Sequence, residues 1–294
     1  MSSNKIAKSV RYALRFLPDE VYIQLNYFAH FKKFANLKNP KTYNEKLNWL
    51  KIHDHNPLYK ELVDKHAVKE YVEKKLGRCY RGGGYTVPTL GVWDSVDNID
   101  FKQLPSQFVL KCTHDSEGLV ICKDKAKLDV SRAKEKLRKC QKQNFYYIGR
   151  EWPYKHVKPR IIAEQYIEDH VDGELRDYKF FCFNGEPKAM FVASERSKGT
   201  TKFDYYDLEF NHLDIMQKYP NAETPRRRPV CFDEMIELAK ILSKDFPHVR
   251  VDFYEVDGKV FFGELTFYHF SGFMPFRPAN WDKTFGDWIV LPPQ

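Results

Sequence analysis

The stretch Arg250-Val-Asp252-Phe-Tyr-Glu-Val-Asp257-Gly258-Lys-Val-Phe-Phe-Gly-Glu264-Leu-Thr266-Phe267 decides how this chain is read. Two runs rich in Val, Phe and Tyr flank Asp-Gly, a hairpin signal because both turn residues tolerate a positive φ. Side chains along a strand alternate between faces, so the turn register decides which charges share a wall. A three-residue loop of Val256, Asp257 and Gly258 pairs Glu255 with Lys259 and sets Arg250 opposite Glu264. Asp252 and Thr266 then join them on one face, while Val251, Phe253, Phe261, Leu265 and Phe267 point into a core. A two-residue Asp257-Gly258 turn with no bulge separates Asp252 from Glu264 instead. In the first register the wall carries two carboxylates and a guanidinium, which suits magnesium and a phosphate. The exposed, charged face of an edge hairpin fits the same pattern equally well.

Working outward, Phe232, Met235, Ile236, Ala239 and Leu242 predict a helix over 232–246 that feeds into this hairpin. Residues 176–183 and 188–194 pair across Asn184-Gly185, and residues 195–230 are polar and ambiguous. Residues 160–167 read as a strand. A basic helix over 130–142 turns Ala133, Leu137 and Cys140 inward, and 107–111 and 118–123 are short strands around a polar loop. The loop 81–84 leads to an edge strand over 87–93. A helix over 65–76 carries Val68, Tyr71, Val72 and Leu76 on one stripe and stops at Gly77. Residues 8–36 and 43–53 read as helical, broken by Asn39-Pro40. Helices and antiparallel hairpins in this order predict an α+β protein of two lobes, hinged near 163–168.

With 294 residues the chain buries a sizeable core, enough for one large domain or two lobes. A mean hydropathy of −0.60 and the lack of any apolar run near ~20 residues argue against an integral membrane protein. The first residues lack the apolar stretch of a secretory signal. Six cysteines without a CxxC or a Cys/His cluster point to reduced thiols in cytoplasm, not to a disulfide scaffold or a zinc site. The net charge of +8 is concentrated: residues 1–51 hold ten Lys/Arg against three acids. Tyr12, Phe16, Tyr22, Tyr27, Phe28, Phe31, Phe34 and Trp49 interleave those charges. Such a segment suits an anionic membrane or a polyanionic glycan, or else a helical segment docked on the main domain with a solvated basic face. No nucleic-acid-binding motif accompanies the charge, which argues against nucleic acid.

Three other stretches carry chemistry. The run ending in Lys111 and followed by Cys-Thr113-His114-Asp115-Ser116-Glu117-Gly118 can grip phosphates, since Lys supplies charge while hydroxyls and backbone amides donate. A solvated lysine and a surface histidine are its ordinary reading. Ile161-Ile-Ala-Glu164-Gln-Tyr166-Ile167 lines an adenine or simply ends a core strand, and Asp64 before Lys65 reads as a helix N-cap. Asp177 and Lys179 share a strand face, as a local surface pair would.

In order, Asp64-Lys65, Val87-Pro88, Lys111 with its polar loop, Ala163-Glu164-Gln-Tyr166-Ile167, Arg250-Val-Asp252 and Glu264-Leu-Thr266 resemble the ATP-grasp superfamily. A closer resemblance, over residues 38–292, is to its TupA-like (teichuronopeptide-biosynthesis) branch. It rests on Asn39-Pro-Lys-Thr-Tyr-Asn-Glu-Lys46, Leu104-Pro-Ser-Gln-Phe-Val-Leu-Lys-Cys-Thr-His114, Arg150-Glu-Trp-Pro-Tyr154, Asp177-Tyr-Lys-Phe-Phe-Cys-Phe-Asn-Gly185 and Gly263-Glu-Leu-Thr-Phe267. The resemblance implies an α+β ATP-grasp fold whose two α+β lobes grip ATP. A basic helical segment (1–60) precedes a lobe with the phosphate loop (61–163) and a lobe with the metal-binding hairpin (164–294).

It also implies a site. Glu164 and Ile167 would hold the adenine, and Lys65, Lys111, Thr113, His114, Ser116 and Gly118 would surround the phosphates. Asp252, Glu264 and Thr266 would hold magnesium, while Arg250, Lys111 and Lys179 would act on the transferring phosphoryl group. The implied activity is an ATP- and magnesium-dependent carboxylate–amine ligase in bacterial capsular or cell-surface polysaccharide biosynthesis. It would release ADP and phosphate through an acyl phosphate. Its substrates would be a small-molecule or glycan carboxylate and an amine, and its place the cytoplasm or the inner membrane face. Two departures stand out: Thr266 replaces the Asn common in ATP-grasp enzymes, and the phosphate loop has a single glycine, Gly118. Three competing readings remain. A glycosyltransferase is disfavoured because no Asp-x-Asp occurs. A kinase of a glycan hydroxyl shares the ATP handling, and a non-catalytic polyanion binder would use only the basic segment.

Overall fold

The computed structural model describes residues 13–77, 84–115, 118–170, 173–196 and 199–293. In chain order the elements are α1 (Asp19–Phe31), α2 (Tyr43–His53), α3 (Ala67–Leu76), β1 (Thr89–Trp93), β2 (Phe108–Cys112), β3 (Leu119–Cys122) and α4 (Val130–Gln141). Then come β4 (Ile161–Gln165), β5 (Asp177–Phe183), β6 (Glu186–Ser194), β7 (Lys202–Tyr206), β8 (His212–Leu213), α5 (Phe232–Ser243), β9 (His248–Val256), β10 (Lys259–Thr266) and α6 (Asn280–Trp288). The strands form two antiparallel sheets, a four-stranded one in the order β1-β4-β2-β3 and a six-stranded one in the order β10-β9-β5-β6-β7-β8. The chain passes from one to the other between Gln165 and Asp177, which gives the expected α+β protein with two lobes.

The lobes differ in bulk. Phe108, Leu110, Ile161 and Ala163 of the small sheet pack with Leu137 and Cys140 of α4. The large sheet is covered by Met235, Ala239 and Leu242 of α5, all fully buried. Tyr43 of α2 lies edge-on to Phe181, Phe183 and Phe285, and its hydroxyl meets His248 Nε2 at 3.0 Å. Helix α2 starts where Thr42 and Glu45 cap each other's backbone N–H groups, the reciprocal pattern of a capping box.

The described part of the basic N-terminal segment is therefore docked on the large lobe, and two of its lysines work inside the fold. Lys51 donates to the carbonyls of Gly149 and Ser271 at 2.7 and 2.9 Å, and burial lowers its pKa to about 7. Lys46 donates to the carbonyls of Gly286 and Ile289. The helix expected over 8–36 is shorter: Pro18 precedes α1, and Lys32 ends it in the left-handed region at φ 58°. Residues 1–12 and most of the loop 81–84 lie outside the described residues. The ambiguous stretch 195–230 contributes β7 and β8. Helix α6 was not foreseen; it fits against the start of α2 because Gly286 has no side chain, a Cβ there coming within 2.4 Å of the Lys41 carbonyl oxygen.

Candidate functional site: a charged cleft between the sheets

The hairpin β9–β10 reaches the required arrangement by a route the sequence reading did not choose. Val256 pairs with Lys259, so the turn is the two residues Asp257 and Gly258, at φ 50° and 71°, and not a three-residue loop. Glu255 consequently opposes Val260, and Arg250 opposes Thr266 rather than Glu264. The shorter turn puts Phe262 in the core in place of Phe261, which lies half-buried opposite Tyr254. A bulge between Phe262 and Glu264 then adds Gly263, resets the alternation and brings Glu264 opposite Asp252. Glycine suits that position, because a Cβ would approach the Asp252 carbonyl oxygen to 3.1 Å and the Tyr254 ring to 3.3 Å.

On this wall Arg250 grips Asp252 with two hydrogen bonds, Nε to Oδ1 at 2.7 Å and Nη2 to Oδ2 at 2.8 Å. The same guanidinium donates to Glu264 Oε1 at 3.2 Å and Thr266 Oγ1 at 3.0 Å, and Nη1 lies 2.6 Å from His269 Nδ1. Lys179, on the neighbouring strand β5, pairs with both Asp252 and Asp177, and Asp177 also pairs with Arg196. Asp177 and Lys179 are buried, so the surface pair expected from their spacing is an interior one. Burial raises the Asp252 carboxyl against the opposing pull of Arg250 and Lys179. Burial also acts to raise Glu264, but Lys179, Lys65 and Arg250 outweigh it and bring the carboxyl to about 2.

The facing wall comes from α3 and the small sheet. Asp64 accepts from the N–H groups of His66 and Ala67 just ahead of α3, whose N-cap position falls to His66 and not to Asp64 as the sequence suggested. Lys65 extends to the Asp115 carbonyl oxygen at 2.5 Å, and Lys69, one helical turn on, meets Glu164 at 2.5 Å. Lys111, from β2, meets the other oxygen of Glu164 at 2.6 Å. Burial would raise the Glu164 carboxyl, but Lys111 and Lys69 hold it below its ordinary value. Lys69 is itself lowered by burial, opposed by Glu164.

Between the walls lie two compartments of one cleft, of 150 and 420 Å³, which share Lys111, Glu164, Asp177 and Arg196. The smaller gathers the lysines, lined by Lys65, Lys69 and Lys179 with Asp115 and Glu264. The larger continues past Glu164 to Val109, Ile121, Tyr166, Ile167 and Leu175, with Lys123, Glu168 and Glu174 on its walls. A lysine-rich pocket that opens into a roomier one with an aromatic and aliphatic side suits a ligand with a charged tail and a flat ring.

The family model described as TupA-like ATPgrasp matches residues 45–290. The chain belongs to the TupA-like ATP-grasp family. The two-lobed α+β architecture is the ATP-grasp fold of that family. A search of curated proteins found no match. Among solved structures, D-alanine–D-alanine ligase from Bacillus anthracis complexed with ATP is 14% identical with a TM-score of 0.41, covering 70% of this chain and 53% of that one. D-alanine–D-alanine ligase from Helicobacter pylori is 13% identical with a TM-score of 0.40, covering 84% and 69%. The ATP-grasp ligase PsnB, complexed with precursor peptide PsnA2 and AMPPNP, is 10% identical with a TM-score of 0.39, covering 74% and 53%. The TupA-like chain thus spans about half the length of the first of these structures.

Of the residues named from the sequence of this TupA-like ATP-grasp protein, Lys65, Lys111, Gly118, Glu164, Lys179 and Glu264 line the smaller compartment and Ile167 lines the larger one. Arg250, Asp252 and Thr266 stand behind Glu264 and join the site through it. Thr113 and His114 do not line the cleft. Thr113 is fully buried, and His114 Nε2 lies 3.1 Å from the Gln143 carbonyl oxygen, with burial lowering the imidazole pKa. Ser116 lies outside the described residues. Gly118 must be small, since a Cβ would come within 2.6 Å of the Cys112 side chain. Lys69 and Arg196 were missed. The four-residue spacing of Lys65 and Lys69 was a usable signal for the first, while nothing local marks Arg196.

Among the described residues no cluster of three or more His, Cys, Asp or Glu side chains is arranged to hold a metal ion. The oxygen donors Glu264, Asp252 and Thr266 nevertheless suit magnesium, which takes one or two carboxylates and completes its shell with phosphates and water. Asp252 is committed to Arg250 and Lys179, so Glu264, 39% exposed, is the donor that opens to the cleft.

Proposed function

We propose that this protein is an ATP- and magnesium-dependent carboxylate–amine ligase. The reading is carried by one observation: a lysine-rich compartment faced by Glu264 continues, between the two sheets, into a larger one lined by Ile121, Tyr166 and Ile167. Ile167 and Glu164, in the larger compartment, would hold the adenine, and Lys65, Lys69 and Lys111 would meet the phosphates. Glu264, with Asp252 and Thr266 beside it, would hold magnesium, which would offset phosphate charge and polarise the transferring group.

The chain's own groups do the rest. Lys179, in the smaller compartment, and Arg196, at the join of the two, draw a substrate carboxylate against the crowded phosphates. A carboxylate oxygen attacks the γ-phosphorus, the bond to the bridging oxygen breaks, and ADP leaves. An amine then adds to the acyl carbon of the acyl phosphate, phosphate departs, and the amine proton is lost to give an amide. Arg250 is a positioning residue, since its guanidinium is spent on Asp252, Glu264, Thr266 and His269 and does not line the cleft.

The setting proposed with it is cell-surface glycan biosynthesis in the bacterial cytoplasm, with a sugar acid or glycan carboxylate and an amine as substrates. The test is ATP consumption across a panel of sugar acids and amines, scored for nucleotide and coupled product. ADP, phosphate and an amide in equal amounts are expected, and Glu264→Gln should abolish them. AMP with pyrophosphate would overturn the acyl phosphate route, and a phosphorylated hydroxyl without amide would make the protein a kinase.

A further inference from the structure

Helix α1 is apolar on two sides. Tyr22, Ile23 and Tyr27 face the protein and are buried to within 1%. Val21, Leu25 and Phe28 recur at helical spacing on the opposite side and are 46%, 47% and 46% exposed. Phe34, just after the helix, is 63% exposed and packs on Phe28 with ring centroids 5.1 Å apart. Phe16, just before it, is 81% exposed. Of the ten large exposed hydrophobic residues among the described ones, five fall between Phe16 and Phe34, so the apolar surface is concentrated here. A helix docked on a globular protein ordinarily turns polar residues outward, and a gathered apolar patch marks a contact surface.

The charge beside the patch selects the partner. Lys32, Lys33, Lys38 and Lys41 are all exposed. Of the acids in this segment, Asp19 is engaged by the Tyr146 hydroxyl and Glu45 is buried in the α2 cap, leaving Glu20 exposed on α1. The sequence immediately before adds Lys5, Lys8 and Arg11. A second copy of the chain docked face to face would bring these lysines together, which like-charge repulsion opposes.

We propose that the outer face of α1, with Phe34 and the neighbouring lysines, docks on an anionic membrane surface. Val21, Leu25, Phe28 and Phe34 enter the boundary between headgroups and acyl chains, and the lysines meet lipid phosphates. This needs nothing from the cleft and stands or falls apart from the ligase reading. Among the described residues no helix is long and apolar enough to cross a membrane, so the attachment is peripheral.

Vesicle flotation of the full chain tests it, using phosphatidylcholine vesicles with and without phosphatidylglycerol. The protein should float only with the anionic vesicles and be released as salt rises. The combined Val21→Ser, Leu25→Ser and Phe28→Ser variant, and separately Lys32→Glu with Lys33→Glu, should each weaken binding about tenfold or more. Because these side chains are exposed, thermal melting and ATP turnover should match the parent protein. Equal binding to neutral vesicles, no binding to either, or unchanged binding by both variants overturns the proposal. So does a dimer, seen by sedimentation, that the serine variant dissolves.

Discussion

The wall built on β9 and β10 and the wall built on α3 and β2 carry similar charges but hold them differently. Asp252 is 1% exposed and Arg250 7%, and their ion pair is backed by the larger sheet and its aromatic layer. The Lys111 side chain is 25% exposed on the small sheet, whose core is much smaller, whereas Lys69 is 13% exposed on α3, which packs on the larger core through Val68 and Val72. A charge pair deep in a rigid core keeps its geometry before any ligand arrives, whereas the part-solvated Lys111 can leave Glu164, which keeps Lys69, for a phosphate at a smaller cost. The large lobe therefore holds its charges more firmly than the small sheet holds Lys111.

Breaking the buried wall should have the largest effect. Arg250→Met leaves Asp252 with Lys179 alone and strips donors from Glu264 and Thr266, for a loss of about 3–5 kcal/mol in urea unfolding. A change under about 1 kcal/mol would erase the distinction between the walls. His248 provides a pH test of the same lobe. Burial drives its pKa down to about 3, followed by the opposing backbone hydrogen bond to Cys182. The unfolded chain thus binds the proton first as pH drops. Its contribution to stability is full above the unfolded value near 6.5 and is lost as pH falls toward 3. Between pH 6.5 and 5 the loss should reach about 2 kcal/mol, and His248→Gln should flatten that slope. Glu164 on the other wall also has a lowered pKa, but its contribution is full above about 4.3 and is lost only below that, so it stays silent in this window. The smallest stability effect belongs to Lys111→Ala, under about 1 kcal/mol because the lysine is part-exposed and Glu164 keeps Lys69. Its mark should be kinetic instead, with KM for ATP raised about tenfold. Unaltered KM would remove Lys111 from the phosphate site.

Much of the fold was legible because its signals are local. Asn184-Gly185 forms the two-residue turn expected of it, and Asp257-Gly258 marks a turn too, though a two-residue one and not the three-residue loop of 256–258; all four residues are at positive φ. Helix α4 turns inward the three residues its spacing indicated. The site was legible in part. Lysines and carboxylates on strand ends could be picked out, but Thr113 and His114 look like loop donors only until burial takes them away from the cleft, Thr113 with its N–H on the Arg160 carbonyl and His114 against the Gln143 carbonyl. Gly263 inside an otherwise apolar strand was the available sign of a bulge.

What the sequence determined by itself was the kind and order of the elements and which of them carry charge, since periodicity, caps and turns depend on neighbours a few residues apart. Which charges meet was decided only by the tertiary structure. Lys179 finds Asp252 across 73 residues of chain, and the cleft closes only because two separate sheets face each other. The opening hairpin shows the boundary: Asp257-Gly258 announces a turn, but one added residue at Gly263 brings Glu264 opposite Asp252. Strand alternation makes that facing all-or-none, and the packing of Leu265 and Phe262 into the core selects it.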